Sequence, residues 1–282
     1  MYSSAAAVNL AQDAQTGPRV FVIGNEKGGT GKSTVAVNLV VGLMRSGQRV
    51  ACIDIDARQA TLGRYMANRR AFAARQGVTL PCPTDVVLPT TEGDSRAEAE
   101  AEDQRKLAEL VSELGATHDA IVIDTPGRND HMTRLAHSHA DVLITPINDS
   151  HIDLDLIATL DPATLKVVKP SIYSDLVWEQ RKQRAMWGRR PLEWIVMLNR
   201  VRQVDSKNAR EIETILKGLA PRFRFQIAPG FGERTIFREM FQDGLTLLDL
   251  REAGIERSLS MSHVAARNEI RILLEMLGYG IV

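Results

Sequence analysis

The chain has 282 residues, 44% of them apolar, and its 35 Lys/Arg balance its 35 Asp/Glu, so the formal net charge is zero. That length and composition suit one large α/β domain or two small ones with an ample core, and they exclude a whole-molecule field that would draw the chain to nucleic acid or membrane. The two cysteines, Cys52 and Cys82, lack metal or redox spacing and suit a reducing cytosol; no apolar run is long enough to span a bilayer.

Residues 1–18 read as a flexible tail without a signal-peptide core, and residues 19–282 as a single domain. Val20 to Ile23 is an apolar run that predicts a buried strand, and the residues from Ser33 onward predict a helix that ends near Gly47. Val50 to Asp56 predicts a strand ending in two carboxylates, followed by a helix over 60–76 and a short strand at 86–88. Residues 91–109, rich in Glu and Ala, predict an exposed loop running into a helix. Further strands are expected at 121–124, 142–146, 194–199 and 223–227, with a closing helix over 257–277. Strands alternating with helices predict an α/β, doubly wound, mainly parallel sheet with helices on both faces, and ligands at the carboxyl ends of its strands.

The richest stretch joins the first strand to the first helix: Gly24-Asn25-Glu26-Lys27-Gly28-Gly29-Thr30-Gly31-Lys32-Ser33-Thr34. The ordinary phosphate-loop pattern fails at one position, where Glu26 replaces its first glycine; the deviant form with a second lysine, Lys27, matches in full from Lys27 to Ser33. Glycines there let backbone N–H groups face phosphate oxygens at a helix N-terminus. Lys32 is then placed to reach the β/γ-phosphates of ATP and Ser33 to ligate Mg²⁺, with Thr30 and Thr34 in the same cradle. Asp124 ends an apolar strand, as a Walker B carboxylate does, and is expected beside Ser33 on the metal; Gly127 follows where its N–H could sense a γ-phosphate. Asp54 and Asp56 are two apart and lean to one face of an extended strand. One is expected to support the metal, assigned to Asp54, and the other, Asp56, to orient the attacking water; a helix-capping role competes for Asp56. His131, His137 and His139 read as surface or helix-end residues.

These residues, Lys27 to Ser33 with Asp54, Asp56 and Asp124, resemble the ParA/MinD group of deviant Walker P-loop ATPases. The resemblance implies an ATP-joined homodimer in which Lys27 reaches the partner's phosphates, and a nucleotide-timed switch. It also implies that Asn199, with Arg200, meets the adenine edge. Stretches such as Asp56-Ala57-Arg58-Gln59, Thr145 to Ser150 and Gly244 to Leu250 are most similar to the MipZ branch of division-site regulators. That branch implies inhibition of an FtsZ-type division protein and contact with a ParB-type partition protein. The alternative within the group is a ParA-type chromosome or plasmid partition ATPase.

Residues 181–238 hold fourteen Lys/Arg against five Asp/Glu, a local excess in a chain of zero net charge. The excess suits nonspecific DNA binding through phosphates, with Arg202, Lys207, Arg210, Lys217, Arg222 and Arg234 as candidates; a solvated, partly paired set of charges is the competing reading. DNA binding places the chain in the cytoplasm, on the nucleoid. No membrane partner is expected: the final helix carries one Arg and two Glu after Asn268, which suits core packing better than an anionic bilayer.

Overall fold

The computed structural model describes residues 17–161, 164–199, 207–232, 235–250 and 261–280. Seven parallel strands make one sheet in the order β3-β2-β4-β1-β5-β8-β9. They are β1 Arg19–Ile23, β2 Val50–Asp54, β3 Thr84–Val87, β4 Ala120–Asp124, β5 Val142–Ile147, β8 Glu193–Leu198 and β9 Gln226–Pro229. The central strands are buried on both sides, and their side chains divide by parity as the pleat requires. Phe21 and Ile23 join one core, under α1 (Lys32–Arg45), α2 (Thr61–Gln76) and α9 (Met261–Met276). Val20 and Val22 join the other, under α3 (Arg96–Gly115), α4 (His131–His139), α6 (Ile172–Met186) and α7 (Lys207–Phe223). The described chain also holds the short α5 (His151–Leu154) and α8 (Ile236–Glu239).

The register puts Ile23 beside Asp124, and Asp124 beside Asp54, all at strand ends. The alternation read from the sequence therefore delivers the phosphate loop and the carboxylates to one edge of the sheet.

Two elements differ from expectation. A small antiparallel pair, β6 (Ala158–Leu160) and β7 (Val167–Pro170), precedes α6, and its three- and four-residue strands are too short for a periodic signature. The strand expected at 223–227 begins at Gln226, because α7 runs through Pro221 to Phe223 and Arg224 takes a left-handed turn (φ 55°). The closing helix is core-packed: Ile270, Leu273 and Leu274 are buried, and Leu274 lies against Gly42 of α1. The face that an amphipathic anchor would offer to lipid is thus turned inward. Among the described residues no helix is long and apolar enough to cross a membrane.

Candidate functional site

The loop between β1 and α1 is held open by its glycines. Gly31 has φ 88° and forms the N-cap of α1 without any side-chain cap, so the first amides of the helix remain available to an anion. A β-carbon at Gly31 would stand 2.2 Å from Asn199 Nδ2, so only glycine fits there. Gly127 packs directly on the loop: its β-carbon would stand 2.7 Å from Gly28 Cα. A change at Gly127 must therefore displace the phosphate loop.

Four side chains brace the loop. Buried Asn25 donates to Pro146 O at 2.6 Å and accepts from the Lys27 amide at 2.8 Å. Thr125 donates to Ile23 O at 2.8 Å, and Tyr173 donates to Gly24 O at 3.0 Å. Asn199, 2% exposed, donates to Thr30 O at 2.7 Å and accepts from the Phe231 amide at 3.0 Å. Asn199 thus ties the phosphate loop to the turn after β9, a task additional to the adenine contact expected of it. Arg200 lies outside the described residues.

Lys32 is buried and donates to Lys27 O at 2.8 Å. Burial lowers its pKa, while Asp124 and Asp56 pull it back up. The Ser33 hydroxyl lies near enough to Asp124 to lower its pKa, and Asp124 Oδ1 is buried without a hydrogen-bond partner, as is Thr30 Oγ1. Burial, reinforced by Asp54, pushes the Asp124 carboxyl up to about 7. Such a carboxyl is short of positive charge, and a divalent cation supplies it. A hydroxyl and a carboxylate are the hard oxygen donors that Mg²⁺ takes. The site therefore fits Mg²⁺ on Ser33 and Asp124.

Asp54 has a structural task beside the metal role expected of it. Its Oδ1 accepts from the Asp56 amide at 3.0 Å, and its Oδ2 from the Leu62 and Gly63 amides at 2.9 and 3.2 Å. It caps the first turn of α2 and closes the loop that carries Asp56. Asp56 does no capping: its carboxylate, half-exposed, has no hydrogen-bond partner among the described residues, and its charge acts on Lys32 and Asp124.

The second lysine points away from its own loop. Lys27 Nζ bonds Asp153 Oδ1 of α5 at 3.0 Å and the Ile152 carbonyl. Asp153 is buried, and its other oxygen accepts from the Asn148 amide at 2.8 Å.

Of the basic candidates, Arg202 and Arg234 lie outside the described residues, and Lys207 opens α7 with an undescribed side chain. Arg210 and Lys217 are seven residues apart on one exposed stripe of α7, about 20° from alignment at 100° per residue. Lys217 pairs with Glu213 at 2.8 Å. Arg222 lies about 120° round from Arg210, on the side facing α6.

His137 contradicts the surface reading. It is 1% exposed, packs edge-on to Tyr173 with ring centroids 5.5 Å apart, and has neither ring nitrogen hydrogen-bonded. Burial pushes its pKa down to about 4. The folded pKa lies below the unfolded value of about 6.5, so the unfolded chain binds more protons between them. Stability from His137 is full above pH ~6.5 and is lost as pH falls toward 4, roughly 2 kcal/mol by pH 5. Asp124, raised to about 7, acts in the opposite sense over that range. The comparison of variant with wild type isolates the histidine: His137→Leu should flatten the loss of urea stability between pH 7 and 5. An unchanged profile would place the acid sensitivity elsewhere.

With this geometry in place, the sequence profile of the family described as ATPase MipZ matches residues 19–280. The chain belongs to the MipZ ATPase family. Related curated proteins include the chromosome partitioning protein ParA of Myxococcus xanthus, 28% identical over 57% of this chain and 62% of its own length. The septum site-determining protein MinD of Helicobacter pylori is 30% identical over 48% of this chain and 56% of its own. The chromosome-partitioning ATPase Soj of Thermus thermophilus is 31% identical over 55% and 64%. This MipZ-family chain thus spans about three fifths of the relatives it matches. Among solved structures, a Cyanothece McdA–ATP complex superposes with a TM-score of 0.65 at 18% identity, covering 94% of this chain and 98% of that one. MinD of Pyrococcus horikoshii with Mg-ADP gives 0.57 at 18% identity, covering 93% and 97%. At that identity the likeness establishes the parallel-sheet P-loop fold.

Proposed function

We propose that this MipZ-family chain is an ATP-hydrolysing dimerisation switch that binds DNA without sequence preference as a dimer and restrains assembly of an FtsZ-type division protein. The observation that carries the reading is the pair of lysines. Lys32 faces inward toward the phosphate cradle, while Lys27 leaves the same loop outward and meets Asp153. A lysine that turns away from its own phosphate cradle is placed to complete another subunit's.

In the proposed reaction the open amides of α1 and Lys32 hold the phosphates. Ser33 and Asp124 hold Mg²⁺, which when bound neutralises charge on the phosphate oxygens. Asp56 orients the attacking water, Gly127 contacts the loop beneath the phosphates, and the partner's Lys27 adds positive charge as hydrolysis proceeds. Arg210 and Lys217, joined by Arg202, Lys207 and Arg234, form the DNA-facing set, with Arg222 at its margin. Contact with a ParB-type protein and residence on the nucleoid follow from the division-site reading. A partition role remains the second reading, favoured by the names of the ParA and Soj relatives.

Sedimentation with ATP, ADP or no nucleotide, with and without DNA, tests the switch. A dimer with ATP alone is expected, lost in Lys27→Ala; one species in all conditions would overturn it. Adding FtsZ and a ParB-type protein separates the division and partition readings, and unaltered FtsZ assembly would sink the first.

The Lys27–Asp153 pair opposes dimerisation, because it must break before Lys27 can cross. Asp153→Asn keeps an acceptor for the Asn148 amide and removes the charge. The pair is partly exposed, so its loss should be worth about 1 kcal/mol in each subunit, and with two pairs to break per dimer ATP-driven self-association should tighten by roughly thirtyfold. A concentration series in the ultracentrifuge measures it; weaker association would show that Asp153 supports the dimer instead.

A further inference from the structure

A cavity of about 330 Å³ lies between α6 and α7, on the helical face of the sheet, and no part of the nucleotide site lines it. Buried Trp194 and half-buried Phe223 give it an apolar lining, with Trp178 as a wall. Trp178 is 48% exposed, so one side of its indole is open to a partner.

The rims differ in charge. On the α7 side, Arg222 lies over the Phe223 ring at 5.9 Å and has no carboxylate partner among the described residues. Arg181 commits its guanidinium to the carbonyls of Leu192, Phe223 and Arg224, at 3.2, 3.0 and 2.6 Å, so no carboxylate neutralises it either. Burial, and then the neighbouring Arg224 charge, depress the Arg181 pKa, so three arginines stand on this side of the cavity. Asp175, in the first turn of α6, lies on the other side.

We infer that this groove docks a peptide segment of another protein that presents one bulky apolar side chain followed by a carboxylate. The cavity has room for such a side chain, Trp178 and Phe223 sandwich it, Arg222 takes the carboxylate, and Asp175 accepts a peptide N–H. A nucleic-acid strand fits less well, because the apolar cavity beside Arg222 offers it no second phosphate contact.

The test uses the full chain labelled with 5-fluorotryptophan, whose three indoles (Trp178, Trp187, Trp194) give separable fluorine resonances. The probes are acetyl-Gly-Phe-Asp-Glu-amide, its counterpart ending in two lysines, and a short oligothymidylate. The acidic peptide should shift the Trp178 resonance saturably. Arg222→Glu should weaken it by roughly tenfold, and in Trp178→Ala the peptide should no longer move the resonance of Trp194, which lines the same cavity, as for a hot-spot pair. A wild-type urea-unfolding midpoint reports that each variant is folded, and Arg222→Glu stands alone if Trp178→Ala is not. Equal binding of the two peptides, a response at Trp187 instead of Trp178, or a shift at Trp178 by oligothymidylate alone would each overturn the proposal.

Discussion

Arg69→Ala is expected to lower the unfolding free energy by about 3–5 kcal/mol, enough to consume much of a typical domain's stability. Arg69 and Asp249 are both fully buried and meet through two parallel hydrogen bonds of 2.7 Å. Arg69 also donates to Pro81 O at 2.8 Å and to Gly244 O at 3.1 Å. Asp249 accepts from Arg45 at 2.8 Å and from the Thr246 amide and hydroxyl at 2.7 and 2.9 Å. Burial alone would raise the Asp249 carboxyl, but Arg69 outweighs it and holds it below the usual range. Removing one partner strands an ion in the core, whereas replacing both with apolar residues removes the desolvation penalty as well. Asp249→Ala should therefore cost at least as much, and the double change Arg69→Met, Asp249→Leu should recover a large part of the loss. Urea unfolding of wild type, Arg69→Ala, Asp249→Ala and the double alanine variant gives the coupling energy; a loss below about 1 kcal/mol for Arg69→Ala would show that the network relaxes around the gap.

That network also explains a stretch the sequence presents without a reason. Gly244 to Leu250 stands out there only as a resemblance, yet its glycine has φ 63°, and a β-carbon on it would stand 2.1 Å from the Arg69 amide. The stretch is a clasp from the end of the sheet to α2. Nothing in its local pattern points to Arg69, which lies 180 residues from Asp249. The strands β1, β2, β4, β5 and β8 were legible because each is a run of apolar residues ending at a turn. The loop was legible because its chemistry demands glycines and a lysine in sequence. The tasks of Asp54, Asn25 and Asn199 were not, since each is set by a partner from another segment. Asp54 and Asp56 look equivalent as a two-residue repeat; only the return of α2 over the strand end makes one a cap and leaves the other open. His137 was misread for the same reason, because helical spacing says nothing about how deeply a helix end is covered.

The difference between Asp54 and Asp56 yields the largest functional effect. Asp56→Ala should lower single-turnover ATP hydrolysis by ~10²-fold or more, with ATP affinity changed by less than about threefold, as for loss of a water-orienting group. Its carboxylate has no hydrogen-bond partner among the described residues, so its removal should leave urea stability nearly unaltered. Asp54→Ala should lower hydrolysis too, but through structure: it strands the amides of Asp56, Leu62 and Gly63, frays α2 and costs about 1–3 kcal/mol. The two aspartates are thus separated by a pair of measurements, hydrolysis rate and urea midpoint, on the same proteins. Equal hydrolysis by Asp56→Ala and wild type would remove Asp56 from the reaction. A drop in stability as large as that of Asp54→Ala would show that its carboxylate shapes the loop, leaving Lys32, Ser33 and Asp124 to carry the chemistry.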